Sequence, residues 1–573
     1  MVTEFILTDD DVDDVKPIIA PSTFLRIAQF LEPNSGLLPS LSRLRIIQAD
    51  NYFPCLHLLH TPSLRTLEAN VPDHQHPNFF SFLTTLVHKA PFLEEIILGP
   101  GQFPLKSLQA ILKFIHLRQL ELKDVASMID FTFLQDVGTL LNLESFILDA
   151  RSCKYTARIP EEQPSSIPPA EHTETESQMP QPSSDIDGSA IYEDTTEVRS
   201  RTEPWSDINS DGPSLFVYPS CPSSPAIGIN KDKEVDQSLP PIYNQIPFNN
   251  DSSISAVGGF YQLKKFHFVG GLSLLQDMIL YIASSTLEDI SITVNQQEPD
   301  PEAEDMRQAR RRELDQETEL EIAAMEKAMR IEYGGNRRIS AKRQALRSNA
   351  EARWQEQEAQ YEKREKAERE QKHTTILQTV SSRWSADLKT VKFSNLDGSS
   401  QPLPVLPKLV YGTLFCHPKL EILEFKRWKV DSVEEFLLSM KSSGPKNLKQ
   451  LHLPIDDPGS AISLSGLLDI AEACPKLESL HCCIDTLPPI PEYSIPTTKA
   501  LSHGLQSLFV ANNPTSLWDF NQLLLVARHF YLTFPRLQTI DNVEGPNAEQ
   551  WVRICDLVKM FQVIRQDDVY HFF

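Results

Sequence analysis

The chain lacks any uninterrupted apolar run near the roughly 18–20 residues that a membrane helix needs, and its first sixteen residues lack the basic-then-apolar layout of a signal peptide. They carry Asp9, Asp10, Asp11, Asp13 and Asp14 instead. Cysteine is sparse: eight residues (Cys55, Cys153, Cys221, Cys416, Cys474, Cys482, Cys483 and Cys555) scattered through 573. That spacing suits reduced thiols of an intracellular protein, cytoplasmic or nuclear, rather than a disulfide framework. Positive charge is also short, with 54 Lys and Arg against 78 Asp and Glu, a formal charge of -24. This balance repels phosphate backbones and anionic lipid, so neither nucleic acid nor membrane is an expected partner.

Catalytic signatures are missing as well. Gly99-Pro100-Gly101 with Lys106-Ser107 has the residue types of a phosphate loop at the wrong spacing, with Phe103-Pro104 where small residues are needed. There is no Gly-x-Ser-x-Gly elbow and no His-Glu-x-x-His helix. Cys55-His57-His60 has no partner pair at zinc-finger spacing. In His481-Cys482-Cys483, Cys482 fills a core position of a strand and points away from its neighbours. The reading is a non-enzyme without metal or cofactor.

What the sequence does contain is a repeat: Leu, two variable residues, an apolar residue, one variable residue, another apolar residue. It appears as Leu41-Leu44-Ile46, Leu64-Leu67-Ala69, Leu93-Ile96-Leu98, Leu117-Leu120-Leu122 and Leu143-Phe146-Leu148. It resumes as Leu263-Phe266-Phe268 and Leu287-Ile290-Ile292. Later copies are Leu388-Val391-Phe393, Leu420-Leu423-Phe425, Leu448-Leu451-Leu453, Leu477-Leu480-Cys482, Leu505-Leu508-Val510 and a degenerate Leu537-Ile540, thirteen in all. Between copies, apolar residues fall at i, i+3, i+4, i+7, the stripe of an amphipathic helix. Examples are Phe79-Phe82-Leu83-Leu86, Leu108-Ile111-Leu112-Ile115, Leu275-Met278-Ile279-Ile282, Val433-Phe436-Leu437-Met440, Leu467-Ile470-Ala471-Cys474 and Leu523-Val526-Ala527-Phe530. Ser432 with Glu435 makes a capping pair at one helix start, and Gly444 marks its end.

Neither a lone strand nor a lone helix can bury its apolar side, but stacked copies share one continuous core. The expected fold is therefore α/β, a leucine-rich-repeat solenoid with parallel strands on a concave face and helices on a convex face. The expected organisation is an acidic N-terminus with a capping helix (1–40), three repeat blocks (41–150, 259–296 and 381–549), two insertions and a C-terminal capping helix (550–573).

Stretches such as PSLSRLRIIQADNYFPCLHLLHTPSLRTLEA, FFSFLTTLVHKAPFLEEIILG and NAEQWVRICDLVKMFQVIRQDD resemble the F-box/leucine-rich-repeat proteins abundant in mushroom-forming fungi. The resemblance covers roughly residues 20–150, 259–296 and 381–573. It implies a substrate receptor whose repeats select a protein, while an N-terminal F-box helix bundle recruits the adaptor and cullin of an SCF-type ubiquitin ligase. The F-box itself is not recognisable. Residues 1–40 offer only Phe24-Leu25-Ile27-Ala28-Phe30-Leu31, read as a capping helix or as a vestigial adaptor surface. The F-box is expected to be lost or to lie upstream. A scaffold or an enzyme regulator with no ubiquitin role is the alternative.

Residues 151–258 are rich in Pro, Ser, Thr and acids, as in IPEEQPSSIPPAEHTETESQMPQPSSD, and are expected to be disordered. They read either as a tolerated surface loop or as a phosphorylation-regulated docking segment. Residues 297–380 are charged and helical, with Glu362/Lys366, Glu365/Arg369, Glu368/Lys372 and Glu326/Arg330 at favourable i,i+4 spacing. Gly334-Gly335-Asn336 splits them in two. No a/d heptad is sustained, which favours solvated single helices over a coiled coil. Arg337-Arg338-Ile339-Ser340 fits a basophilic kinase site.

Strand residues between the core leucines should face outward. These are Arg43, Arg45, Glu68, Gln119, Glu121, Lys123, Lys265, His267, Lys392, Glu424, Lys426, Gln450, His452, His481 and Phe509. They form the candidate protein-binding face of a chain expected to be monomeric outside its complexes. Arg43, Arg45 and Phe509 are the expected hot spots. Trp551-Ile554-Cys555-Val558 is the stripe of the closing helix.

Overall fold

The computed structural model describes residues 2–8, 21–30, 37–47, 50–70, 77–101, 105–125, 128–156, 258–295, 301–332, 336–384, 386–396, 403–454, 460–485, 503–512, 517–545 and 547–571. The Pro/Ser/acidic insertion falls almost wholly outside them, as do the side chains of Arg337, Arg338 and Ile339.

In chain order the first elements are β1 (Glu4–Thr8), α1 (Pro21–Ala28), β2 (Arg43–Ile47), a 3-10 helix (Asp50–Leu59), β3 (Thr66–Asn70), α2 (Pro77–Lys89), β4 (Glu95–Leu98), α3 (Leu105–Ile111) and β5 (Gln119–Leu122). Next come β6 (Met128–Asp130), α4 (Phe131–Gly138), β7 (Ser145–Asp149), β8 (Lys154–Thr156), β9 (Lys265–Gly270), α5 (Leu272–Tyr281) and β10 (Asp289–Val294). Two long helices follow, α6 (Pro301–Glu332) and α7 (Asn336–Arg383). The remainder is β11 (Thr390–Asn395), β12 (Val405–Leu406), α8 (Lys408–Phe415), β13 (Ile422–Lys426), β14 (Lys429–Val430), α9 (Val433–Ser443), β15 (Gln450–His452), α10 (Leu464–Ala473), β16 (Ser479–Cys482), β17 (Ser507–Val510), α11 (Phe520–Thr533), β18 (Thr539–Asn542) and α12 (Glu549–His571).

Fourteen of these strands form one parallel sheet in the order β1-β2-β3-β4-β5-β7-β9-β10-β11-β13-β15-β16-β17-β18. Strands are added in chain order, so each unit touches its sequence neighbours in the manner of a solenoid-like α/β fold. All thirteen pattern copies supply a strand. Their first leucines, from Leu41 to Leu537, are buried, as are the two apolar positions that follow in the first twelve copies and Ile540 in the last. The alternate strand residues face outward because strand side chains alternate in direction.

The helices lie on the buried side. Phe79, Phe82, Leu83 and Leu86 of α2 are buried in the same core as the strand leucines, and so are Leu467, Ile470, Ala471 and Cys474 at α10. The Ser432 hydroxyl accepts from the Glu435 N–H at 3.2 Å, satisfying one of the helix's unpaired donors, and Gly444 is the C-cap of α9. Between β2 and β3 the apolar residues sit on a 3-10 turn, where Pro54 has no N–H to donate to an α-helical ladder.

Four expectations are corrected. First, the array starts at Glu4, not near residue 41: β1 pairs with β2, setting Phe5 beside Leu44 and Leu7 beside Ile46. Second, among its described side chains α1 buries only Phe24, against Phe5 and Tyr52, and packs on the 3-10 helix; the edge of β2 is covered by β1. Leu25, Ile27 and Phe30 are exposed. Third, α3 stops at Ile111, because Lys113 and Phe114 tighten the chain with i→i+3 bonds and Phe114 enters the core, leaving Ile115 exposed.

Fourth, α6 and α7 are not separate solvated helices. They pack on each other, and the pairs Arg307–Glu365, Arg347–Glu319 and Arg343–Glu326 run antiparallel. Buried Ile322 and Trp354 replace the missing heptad leucines, with Arg311 lying 5.3 Å over the Trp354 ring. Of the expected i,i+4 pairs, Glu365–Arg369 forms at 2.8 Å, whereas Glu326 turns across to Arg343. Helix α7 also runs past the compositional boundary at 380. Its last turns bury Ile376, Leu377, Val380 and, just beyond the helix, Trp384, packing against α5 and α8 in the helical layer of the sheet.

Among the described residues, no helix is long and apolar enough to cross a membrane.

Candidate functional site

Parallel pairing in unbroken register lines up the outward residues of successive strands. The central row reads Ile6, Arg45, Glu68, Ile97, Glu121, Ile147, His267, Ser291, Lys392, Glu424, His452, His481, Phe509 and Asp541. Arg43, Gln119, Lys265 and Gln450 fall in the row one outward position earlier, and Lys123 and Lys426 in the one after. All fifteen expected face residues therefore share one side of the sheet. The residues missed were Ile6, Ile97, Ile147, Ser291 and Asp541. Apolar Ile97 and Ile147 look like core in a pattern search, and Asp541 sits in the degenerate last copy.

Three groups of contacts divide this face. On β1 to β3, Arg45 donates to the Glu68 carboxylate at 2.8 Å, and Arg43 lies 3.4 Å from Glu68 and 3.7 Å from Glu4. Both arginines expected as hot spots thus already hold an internal counter-charge. In the middle, Lys123 pairs with Glu121 at 3.4 Å and His267 with Asp289 at 3.3 Å.

The third group is aromatic. His452 stacks on His481 with ring centroids 3.8 Å apart, and His481 on Phe509 at 5.1 Å. The parallel register sets one ring per strand on β15, β16 and β17. Glu424 borders the shelf at one end, only 12% exposed and surrounded by Lys426 at 3.5 Å, His452 at 3.8 Å and Lys392 at 4.0 Å. Asp541 borders the other end, exposed on the edge strand. Burial, reinforced by the neighbouring His481, lowers the His452 pKa to about 4; burial likewise lowers His481. Both imidazoles are uncharged at neutral pH, so the shelf is a neutral column of stacked rings between two charged ends.

A second feature lies at the start of the strands. The residue following the first leucine of each copy stacks on its counterpart through backbone bonds, such as Glu94 N–H to the Arg65 carbonyl. Between Ser42 at one end and Gln506 and Gln538 at the other, this row reads Arg65, Glu94, Arg118, Glu144, Lys264, Glu288, Lys389, Glu421, Lys449 and Glu478, ten residues of strictly alternating sign. Ion pairs follow the alternation: Arg65–Glu94 at 3.5 Å, Arg118–Glu144, Lys264–Glu144 at 2.9 Å, Lys389–Glu288 at 2.8 Å and Lys449–Glu421 at 2.8 Å. Hydrogen bonds from Lys264 and Arg118 hold the Glu144 carboxyl below its ordinary pKa. The signal was present in the sequence, one position after each leucine.

A cleft of about 350 Å³ opens on this row, lined by Arg65, Phe92, Glu94, His116, Arg118, Asn142, Glu144 and Gln262. Its charges are matched within the row, and the Arg65 guanidinium lies 5.2 Å over the Phe92 ring. Among the described residues no three His, Cys, Asp or Glu side chains converge to hold a metal ion. Cys482 is fully buried while His481 faces out, and burial pushes the Cys474 thiol up to about 12, leaving it protonated at neutral pH.

What the arrangement offers chemically is a long surface of mixed charge with one stack of aromatic rings. A scan against protein-family models and a search of curated proteins each return no match to this chain.

Proposed function

We propose that this chain is a non-catalytic, leucine-rich-repeat solenoid of the horseshoe class that binds a protein ligand on the open face of its sheet. The observation that carries the reading is the central row, unbroken in register over fourteen strands. At about 4.8 Å per strand it extends for roughly 60 Å, enough for a folded domain or a long peptide. Its composition, ion-paired at one end and aromatic at the other, suits an interface anchored at the aromatic end and polar along the rest.

Kinship with F-box substrate receptors is part of the proposal. It makes the bound protein a substrate and an SCF adaptor with its cullin the further partners. The test is affinity purification of the full-length chain from its native cells. Recovery of adaptor and cullin supports the receptor reading. A specific partner without them overturns that reading and leaves a scaffold or an enzyme regulator. The α6–α7 pair favours the scaffold alternative, since it adds a second, highly charged surface distinct from the sheet face. No specific partner at all overturns the proposal.

A further inference from the structure

The aromatic shelf carries an inference that rests on the protein-binding reading and makes it more specific. We propose that the Phe509 end of the His452–His481–Phe509 stack is an arginine-recognition site, taking the guanidinium of a partner segment against the end face of Phe509 with Asp541 as its counter-charge.

Four observations on the face select this occupant. The rings stack face to face from strand to strand, with interplanar angles of 17° and 24°, so the inner faces are covered and the face turned toward β18 is that of Phe509. Asp541 is paired directly with Phe509 in the strand register, one strand spacing from the ring. It is exposed and makes no ion pair among the described residues. At the other end, Glu424 is enclosed by Lys392, Lys426 and His452, so that end offers net positive charge and repels a cation. A cationic side chain is therefore directed to the Phe509–Asp541 end.

Chemistry narrows the choice further. An aromatic side chain would stack on the end face of Phe509 but leave Asp541 covered without a counter-charge, which is costly. A carboxylate would meet Asp541 with like charge. Lysine would satisfy the charge but cannot stack as a plane. The guanidinium does both, lying on a π face while its N–H groups fork onto a carboxylate. With both imidazoles neutral at pH 7, no positive charge on the shelf opposes it.

The experiment uses the full-length chain with its histidines labelled at 13Cε1, read by NMR. The probe is a blocked pentapeptide with one central arginine among glycines. Its counterpart carries citrulline, which keeps the plane and loses the charge. The expected result is a saturable shift of the His481 resonance with the arginine peptide and none with the citrulline peptide. Asp541→Asn and Phe509→Ala should each weaken the apparent affinity about 3- to 10-fold. An unchanged His373 resonance, from the buried helical layer, serves as the check that each variant is folded. Equal shifts from citrulline, or affinity within twofold of the parent in D541N, would overturn the proposal.

A retention assay separates this inference from the reading beneath it. If a native partner stays bound to both shelf variants but is lost from Glu68→Lys, the arginine site falls and the protein-binding face stands. If the peptide binds as described while the parent chain retains no native protein, the site stands and the protein-binding reading falls.

Discussion

Lys264 and Glu144 are 120 residues apart in the chain, yet their side chains form an ion pair at 2.9 Å. The contact exists because β9 takes the place beside β7 that an uninterrupted repeat would give it. The same happens at the second insertion, where Lys389 meets Glu288 across 101 residues. In both places the alternation of charge continues as if nothing had been inserted. Long loops can be accommodated in this way because closure entropy grows only slowly with loop length.

The alternating row makes a specific prediction about charge reversal. Glu144→Lys should set three cations side by side and lower the thermal midpoint by roughly 2 °C, more at low salt than at high. Adding Lys264→Glu restores that one contact but places like charges beside Arg118 and Glu288. Rescue in the double variant should therefore be partial. Full rescue, measured by thermal unfolding at two salt concentrations, would show that the pair acts alone and not as part of the row.

Acid should destabilise the fold between pH 6.5 and 4. His60, His373 and His452 all have pKa values lowered to about 4, chiefly by burial, from an ordinary 6.5. In that interval the unfolded chain binds protons that the folded chain refuses, so stability falls as pH falls and is unaffected by these groups above 6.5. His373, packed edge-on against Trp428 at 5.6 Å, should contribute up to about 3 kcal/mol of the loss. Urea midpoints for His373→Phe, which keeps a ring and removes the titration, should show a shallower slope from pH 7 to 5. An identical slope would rule His373 out as the source.

Much of this was legible in the residues. Leucine spacing located thirteen of the fourteen strands, because each copy must bury the same three positions. It missed β1, whose EFILT has no leucine three residues before Phe5 and lies beside an acidic run. The outward face was readable from alternation alone, but its contacts were not. Nothing in one dimension shows that Arg45 is held by Glu68, or that His452, His481 and Phe509, each about thirty residues from the next, stack as one shelf. The helical pair escaped for a related reason: its seam depends on Ile322, Trp354 and cross-helix ion pairs that follow no heptad.

Helix α7 should behave as two parts. Near its middle, Trp354 is buried under Arg311 of α6; at its end, Trp384 is buried in the array and its Nε1 donates to the Ser284 carbonyl at 2.8 Å. Trp354→Ala should reduce the helical circular-dichroism signal and expose residues 301–370 to protease, with little change in the unfolding midpoint of the array. Trp384→Ala should cost about 3–5 kcal/mol. Equal global losses from both variants would show that the helical pair and the array fold as one unit.

The last prediction concerns the far end of the sheet. Among the described residues β18 pairs only with β17, and α12 packs against both β18 and α11, so the edge strand is covered by a helix. Trp551 anchors that helix, fully buried beside Trp518 at 5.6 Å and Phe530 at 6.4 Å, with its Nε1 donating to the Asn512 carbonyl at 3.1 Å. Trp551→Ala should remove about 3–5 kcal/mol of local stability, whereas Val552→Ala, on the exposed side of the same helix, should remove almost none. Hydrogen exchange would show where the loss is felt. In a stack stabilised by nearest-neighbour contacts, faster exchange should be confined to β17, β18 and α11, with β2 to β5 unchanged. Faster exchange throughout the sheet would mean instead that the array unfolds as a single cooperative unit, and that the terminal helix holds all of it.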